Sequence, residues 1–219
     1  MLFLLQINNI NMKKSIQNTI LNRIHRNGMG WVFSPMDLAN IGSRSAIGLA
    51  LYRLEQKKKI RRAIRGIFYY PKIGKLLGHE LLPEIDQIAQ ALARKFGWHI
   101  QPGGATALNL IGLSTQVPAR AVYLSTGPNR TYELPTTILI FQHSALKETN
   151  FKHPESGLMI QALKALGPKR ITPEVMAKIR AWLDPSLRKR VLDDSRSATA
   201  WVYAAIQKIA RNDAQGYFV

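Results

Sequence analysis

The run SPMDLANIGSRSAIGLALYRLEQKKKIRRAIRGIFYYP, residues 34–71, decides the fold of the front of this chain. Ser34 ahead of Pro35, with Asp37 two further on, is an N-cap serine followed by a first-turn proline and acid. It predicts a short helix ending near Ile41-Gly42. Ser43 caps a longer helix in which Ile47, Ala50, Leu51 and Leu54 recur at i, i+3, i+4, i+7 and define one apolar face. Ser45, Leu49, Tyr52, Arg53 and Gln56 fall opposite, on a polar, basic and aromatic face suited to a groove. Beyond Lys57-Lys58-Lys59, the runs Ile60-Arg61-Arg62-Ala63-Ile64-Arg65 and Ile67-Phe68-Tyr69-Tyr70-Pro71 meet at Gly66 and read as a hairpin.

Working upstream, Ile16, Ile20, Leu21 and Ile24 repeat at helical spacing between Lys14 and Arg26, and Asn27-Gly28 supplies the stop. Gly30-Trp31-Val32-Phe33 is a short extended piece. Helix, short strand, helix, helix and hairpin, in that order, is the winged helix-turn-helix layout, whose third helix enters the major groove while the hairpin follows the phosphates.

Charge supports a polyanionic partner. The 219 residues carry 31 Lys and Arg against 13 Asp and Glu, a formal charge of +18, which points to nucleic acid, an acidic protein or an anionic membrane. Residues 1–75 hold 14 Lys and Arg against Asp37 and Glu55 alone, a net of +12, whereas residues 76–219 hold 17 against 11. Ser43, Arg44, Ser45, Tyr52, Arg53, Gln56, Lys57, Lys58, Lys59, Arg61, Arg62 and Arg65 form the candidate DNA-binding set. In this set Arg44, Arg53, the three lysines and the hairpin arginines would neutralise phosphates. Ser45, Tyr52, Arg53 and Gln56 would read base edges. A generally basic solvated surface, and a docking or RNA-binding use of the same module through Leu49 and Tyr52, remain open alternatives.

A hydrophobic content of 46% is enough for one large domain or two small ones. With no Cys, a disulfide scaffold, a Cys-ligated zinc site and a thiol nucleophile are excluded. No apolar run approaches the roughly 20 residues of a membrane span, and Met1-Leu2-Phe3-Leu4-Leu5 lacks the flanks of a secretory signal. Met12-Lys13-Lys14 is the expected natural start, which makes residues 1–11 an extension of the gene model.

Downstream, Gly74 to Pro83 reads as a linker. Ile85 to Phe96 reads as an amphipathic helix closed by Gly97, Trp98 to Gln101 as a strand, and Ala105 to Leu113 as a small-residue helix. Arg120–Thr126, Arg130–Leu134 and Thr137–Gln142 are strand-like, and four helical patterns follow, at Ser156–Leu166, after Thr172-Pro173, after Asp184-Pro185 and at Ser197–Arg211. The expected class is α+β, with a winged helix over 12–73 and a mixed domain with a helical tail over 84–219.

No phosphate-loop, dinucleotide, zincin or hydrolase-elbow motif occurs. His25, His79, His99, His143 and His153 lack ligand spacing, Asp193-Asp194 reads as a helix-end pair, and Gly103-Gly104 reads as a plain turn before a helix. No catalytic residue, metal or cofactor is expected. An enzyme acting on nucleic acid would need a carboxylate or His cluster.

Two sets of residues carry a resemblance. Gly30-Trp31-Val32-Phe33-Ser34-Pro35, Gly42-Ser43-Arg44, Ile60-Arg61-Arg62, Arg65-Gly66-Ile67-Phe68 and Tyr70-Pro71 resemble the front end of AbiEi-like antitoxins of bacterial type IV toxin–antitoxin systems. Ile88-Ala89-Gln90-Ala91-Leu92-Ala93 through Pro102-Gly103-Gly104-Ala105, then Leu113 to Ala119 and Tyr123-Leu124-Ser125, resemble the second domain of that group. The resemblance implies a cytoplasmic transcriptional repressor that binds its own promoter and counters a nucleotidyltransferase-like toxin without a stable complex. It identifies no individual antitoxin residues.

Overall fold

The computed structural model of the chain describes residues 15–74, 78–116, 119–145 and 151–211; the expected extension at 1–11 lies outside them. The class is α+β, and the chain divides into two compact units between Lys95 and Phe96.

In the first unit, the Ser15 hydroxyl accepts the Asn18 N–H and starts α1 (Ile16–Asn27), which ends where Gly28 adopts φ +83. Strand β1 (Val32–Phe33) leads to a capping box, in which the Ser34 hydroxyl accepts from Met36 N–H and the Asp37 carboxylate accepts the Ser34 N–H at 2.8 Å. The short helix expected to reach Ile41-Gly42 is a single 3-10 turn, Pro35–Leu38. The next residues turn the chain instead, bonding Ile41 N–H to Leu38 O and laying Gly42 where a Cβ would stand 3.0 Å from Ile16. Ser43 then caps α2 (Arg44–Gln56), whose Ile47, Ala50, Leu51 and Leu54 are buried as the spacing predicts. They close with Ile20, Ile24, Phe33, Leu38, Ile60 and Phe68 into one core.

Strands β2 (Arg61–Ile64) and β3 (Ile67–Tyr69) form the expected hairpin, with Gly66 at φ +77 in its turn. The sheet order is β1-β3-β2, antiparallel throughout, with Phe33 opposite Phe68 and Arg62 opposite Phe68 on the other edge. Two further strands pair antiparallel, β4 (Lys72–Ile73) just before the stretch expected as a linker and β5 (Glu80–Leu81) within it. Both are two residues long with exposed side chains, so no hydrophobic alternation announces them. Helix α3 (Ile85–Phe96), which sequence assigns to the second domain, groups with the first unit as far as Lys95. Its Arg94 donates through Nε to Asp37 Oδ1 at 2.7 Å and through Nη2 to Val32 O at 2.8 Å, tying the helix to β1 and the 3-10 turn.

The second unit has a four-stranded sheet of β6 (Ile100–Pro102), β7 (Arg120–Ser125), β8 (Arg130–Glu133) and β9 (Ile138–His143), ordered β6-β7-β9-β8. β7 and β9 run parallel over six pairs, from Arg120 opposite Ile138 to Ser125 opposite His143, and the edge pairings are antiparallel. Its helices are α4 (Gly104–Ile111), α5 (Pro154–Leu166), α6 (Pro173–Trp182), α7 (Arg188–Asp194) and α8 (Ala200–Ala210). They share a core in which Met159, Leu163, Ile179, Val191, Val202 and Ile206 are fully buried. Helix α5 comes close to β6 at Gly157, where a Cβ would overlap Gln101 Oε1 and stand 2.6 Å from Phe151. In an open helix Gly→Ala stabilises by about 1 kcal/mol. Here overpacking reverses the sign, and Gly157→Ala is expected to destabilise the second unit by roughly 1–3 kcal/mol. A denaturant midpoint equal to or above the wild-type value would contradict the close approach.

Candidate nucleic-acid interface

The outer face of α2 begins at its cap. The Ser43 hydroxyl accepts the Ala46 N–H at 3.3 Å and lies 3.2 Å from the Ser45 hydroxyl, so Ser43 serves the helix start. Arg44, Ser45, Leu49, Tyr52, Arg53 and Gln56 are all exposed, with Leu49 at 50% and Tyr52 at 56%, whereas their neighbours at helical spacing are buried. The face continues without interruption into Lys57, Lys58 and Lys59, which are exposed on the turn between α2 and the buried Ile60.

The hairpin behaves differently. Arg62 makes a bidentate pair with Glu55, Nε to Oε1 at 3.0 Å and Nη2 to Oε2 at 2.7 Å, and its guanidinium lies 5.0 Å from the Phe68 ring centroid. Arg61 donates to Glu80 and, through Nη1, to Lys58 O at 2.7 Å. Both are expected as phosphate contacts; each is held in an ion pair within the chain while its side chain stays partly exposed, 29% for Arg61 and 45% for Arg62. Arg65 stands exposed at the hairpin turn. Within the candidate set, the cations without an acidic partner among the described residues are therefore Arg44, Arg53, Lys57, Lys58, Lys59 and Arg65.

Sequence reasoning missed Glu55 and Glu80 as the groups that divide this set. The available signal was an acid seven residues ahead of Arg62 within an otherwise basic run.

The other residues weighed for chemistry have structural occupations. His25 packs 5.4 Å from the Tyr70 ring, His143 Nδ1 lies 3.0 Å from Gly127 O, and Gly103 is the N-cap of α4. Asp193 pairs with Arg196, and Asp194 accepts the His153 N–H at 3.0 Å at the head of α5. Lys152, Arg190 and Ser197 join these residues around an open recess of about 410 Å³. Among the described residues no three His, Asp or Glu side chains gather as a metal site requires, and no helix is long and apolar enough to cross a membrane.

The Arg62 hydrogen bonds, more than its charge, hold the Glu55 carboxyl below the ordinary value of 4.5, against a smaller opposing effect of burial. A lowered folded value means that the stabilisation is complete above the unfolded value and is lost as pH falls through the folded one. Glu55→Gln is therefore expected to lower the melting temperature at pH 7, the pair contributing up to about 1 kcal/mol. The gap from wild type should narrow below about pH 4. A gap independent of pH would remove the ion pair as its cause.

No curated protein matches the chain. Among solved structures, the crystal structure of the RV2827C protein from Mycobacterium tuberculosis is similar at 12% identity, covering 89% of this chain and 76% of that one with a TM-score of 0.39. The family model DUF6088, described as a family of unknown function, matches residues 19–191, so the chain belongs to the DUF6088 family.

Proposed function

We propose that the first unit is a winged helix-turn-helix that binds double-stranded DNA, with α2 as the groove-reading helix and the hairpin β2–β3 as the wing. The supporting observation is the exposed face of α2 and its turn from Arg44 to Lys59, together with Arg65 exposed at the hairpin turn; these six cations have no acidic partner among the described residues. Lys57, Lys58, Lys59, Arg44 and Arg65 supply phosphate contacts, while Ser45, Tyr52, Arg53 and Gln56 face the base edges. Arg61 and Arg62 shape the wing. The antitoxin role, a cytoplasmic repressor of its own operon that counters a nucleotidyltransferase-like toxin, rests on the sequence resemblance. Co-expression with a toxin encoded beside it is its test: rescue of growth supports the role, and undiminished toxicity opposes it.

A second reading is favoured by the exposure of Leu49 and Tyr52, at 50% and 56%, which suits docking of a protein or RNA. Fluorescence anisotropy against the chain's own upstream DNA and a scrambled duplex, at several salt concentrations, separates the two. DNA reading predicts preference for the upstream duplex and a negative log–log salt slope near 0.9 per phosphate neutralised. Arg53→Ala should cost roughly 1–3 kcal/mol on the preferred duplex and narrow the preference, while Lys57→Ala should weaken both duplexes alike. Equal, weak binding to both duplexes would overturn sequence reading, and sensitivity to Leu49→Ala in place of Arg53→Ala would favour docking.

A further inference from the structure

Helix α2 ends in a Schellman close. Lys59 N–H bonds to Leu54 O at 3.0 Å and Lys58 N–H bonds to Glu55 O at 2.9 Å, the 6→1 and 5→2 pair that satisfies the last carbonyls of a helix. This close needs a left-handed residue at its first position past the cap, which is usually Gly and sometimes Asn. Here the position is Lys58, at φ +54, the one non-glycine among the described residues with positive φ. A lysine there is strained, because its Cβ crowds the following carbonyl. Strain at a non-glycine residue persists where its surroundings over-determine the backbone, and it concentrates at functional positions.

The surroundings are specific. The Lys58 carbonyl accepts from Arg61 Nη1 at 2.7 Å, and the same guanidinium pairs through Nη2 with Glu80 on β5. The side chains of Arg61 and Glu80 are 29% and 37% exposed, and Arg61 stands opposite the buried Tyr69 in the sheet. An acid on β5 thus holds an arginine on β2, which holds the backbone of the basic turn.

We infer that Lys58 occupies a glycine position in order to present its ammonium to a nucleic-acid phosphate, and that Arg61 and Glu80 are positioning residues holding this turn. The inference rests on the DNA-binding reading proposed above and refines it. The Lys57–Lys59 turn is the phosphate contact, and two charged residues beside it act through the Lys58 backbone.

The test is a double-mutant cycle on the full chain, with anisotropy against upstream DNA at several salt concentrations and a thermal melt of every variant. Lys58→Gly relieves the strain and removes the charge. It is expected to raise the melting temperature, lower affinity about 3- to 10-fold at low salt, and flatten the log–log salt slope by about 0.9. Glu80→Gln makes the protein more positive, so simple electrostatics predicts tighter binding. Positioning predicts the opposite, a roughly 2- to 5-fold loss that disappears in the Lys58→Gly background. Lys58→Gly binding as wild type, or Glu80→Gln binding more tightly, would overturn the inference while leaving DNA binding intact. A wild-type chain that binds no duplex even at low salt would overturn the DNA reading itself.

Discussion

Strand β3 is the constraint on which the first unit depends. Its three residues, Ile67, Phe68 and Tyr69, are all buried, and the strand is paired along both edges. Phe68 lies 6.1 Å from Phe33 across the β1 edge, Phe33 stacks on Trp31 at 4.5 Å, and Arg62 covers Phe68 from the β2 side. Burying one such aromatic contributes on the order of 2–3 kcal/mol. β1 is only two residues long and among the described residues pairs only with β3, so it has no independent stability. Backbone bonds from Gly30 N–H to Tyr70 O and from Tyr70 N–H to Trp31 O continue the pairing past its end. The chain between these points, which includes α2 and the basic turn, is a loop closed by that contact.

Much of this was legible in the residues because it obeys local rules. The apolar stripe of α2, the caps Ser34 and Ser43, and the glycine at the hairpin turn each follow from spacing or hydrogen-bond chemistry within a few positions. The failures share a different cause. The 3-10 turn ends early, and Gly42 beyond it packs against Ile16, 26 positions away in sequence. Helix α3 joins the first unit through Arg94 and Asp37, 57 positions apart. β4 and β5 have no buried face to leave a pattern. At the interface, exposure of the α2 outer face could be read from periodicity. The engagement of Arg61 and Arg62 could not, since it depends on which acids the fold brings near.

The second unit gives the same lesson on a larger scale. The alternation of β7 and β9 is clear, with Ala121, Tyr123, Leu139 and Phe141 facing inward. Their parallel adjacency is not, because β8 lies between them in sequence and pairs only on the far side of β9. Trp98 illustrates how such a layout is fixed. It stacks on Phe96 at 4.7 Å, meets the edge of Phe141, and lies so close to Gly127 that any side chain there would collide with the indole. Gly127 in the turn after β7 is therefore a packing requirement, although sequence presents it only as a turn residue.

The electrostatics of the front of the chain follows from where its few acids went. Residues 1–75 contain only Asp37 and Glu55, and each is engaged by an arginine: Asp37 by Arg94 while also capping the 3-10 turn, and Glu55 by Arg62 at the end of α2. Glu80 takes Arg61. These pairings engage the arginines of the hairpin and of α3, which stay partly solvent-exposed. They neutralise none of the cations along the outer face of α2 and its turn. Like charges crowded on one surface repel and lower stability, so such a face persists only where the fold tolerates that cost. Lys58 adds a backbone strain at the same place, in the same turn. Charge repulsion and backbone strain thus converge on one short segment, the turn that closes α2.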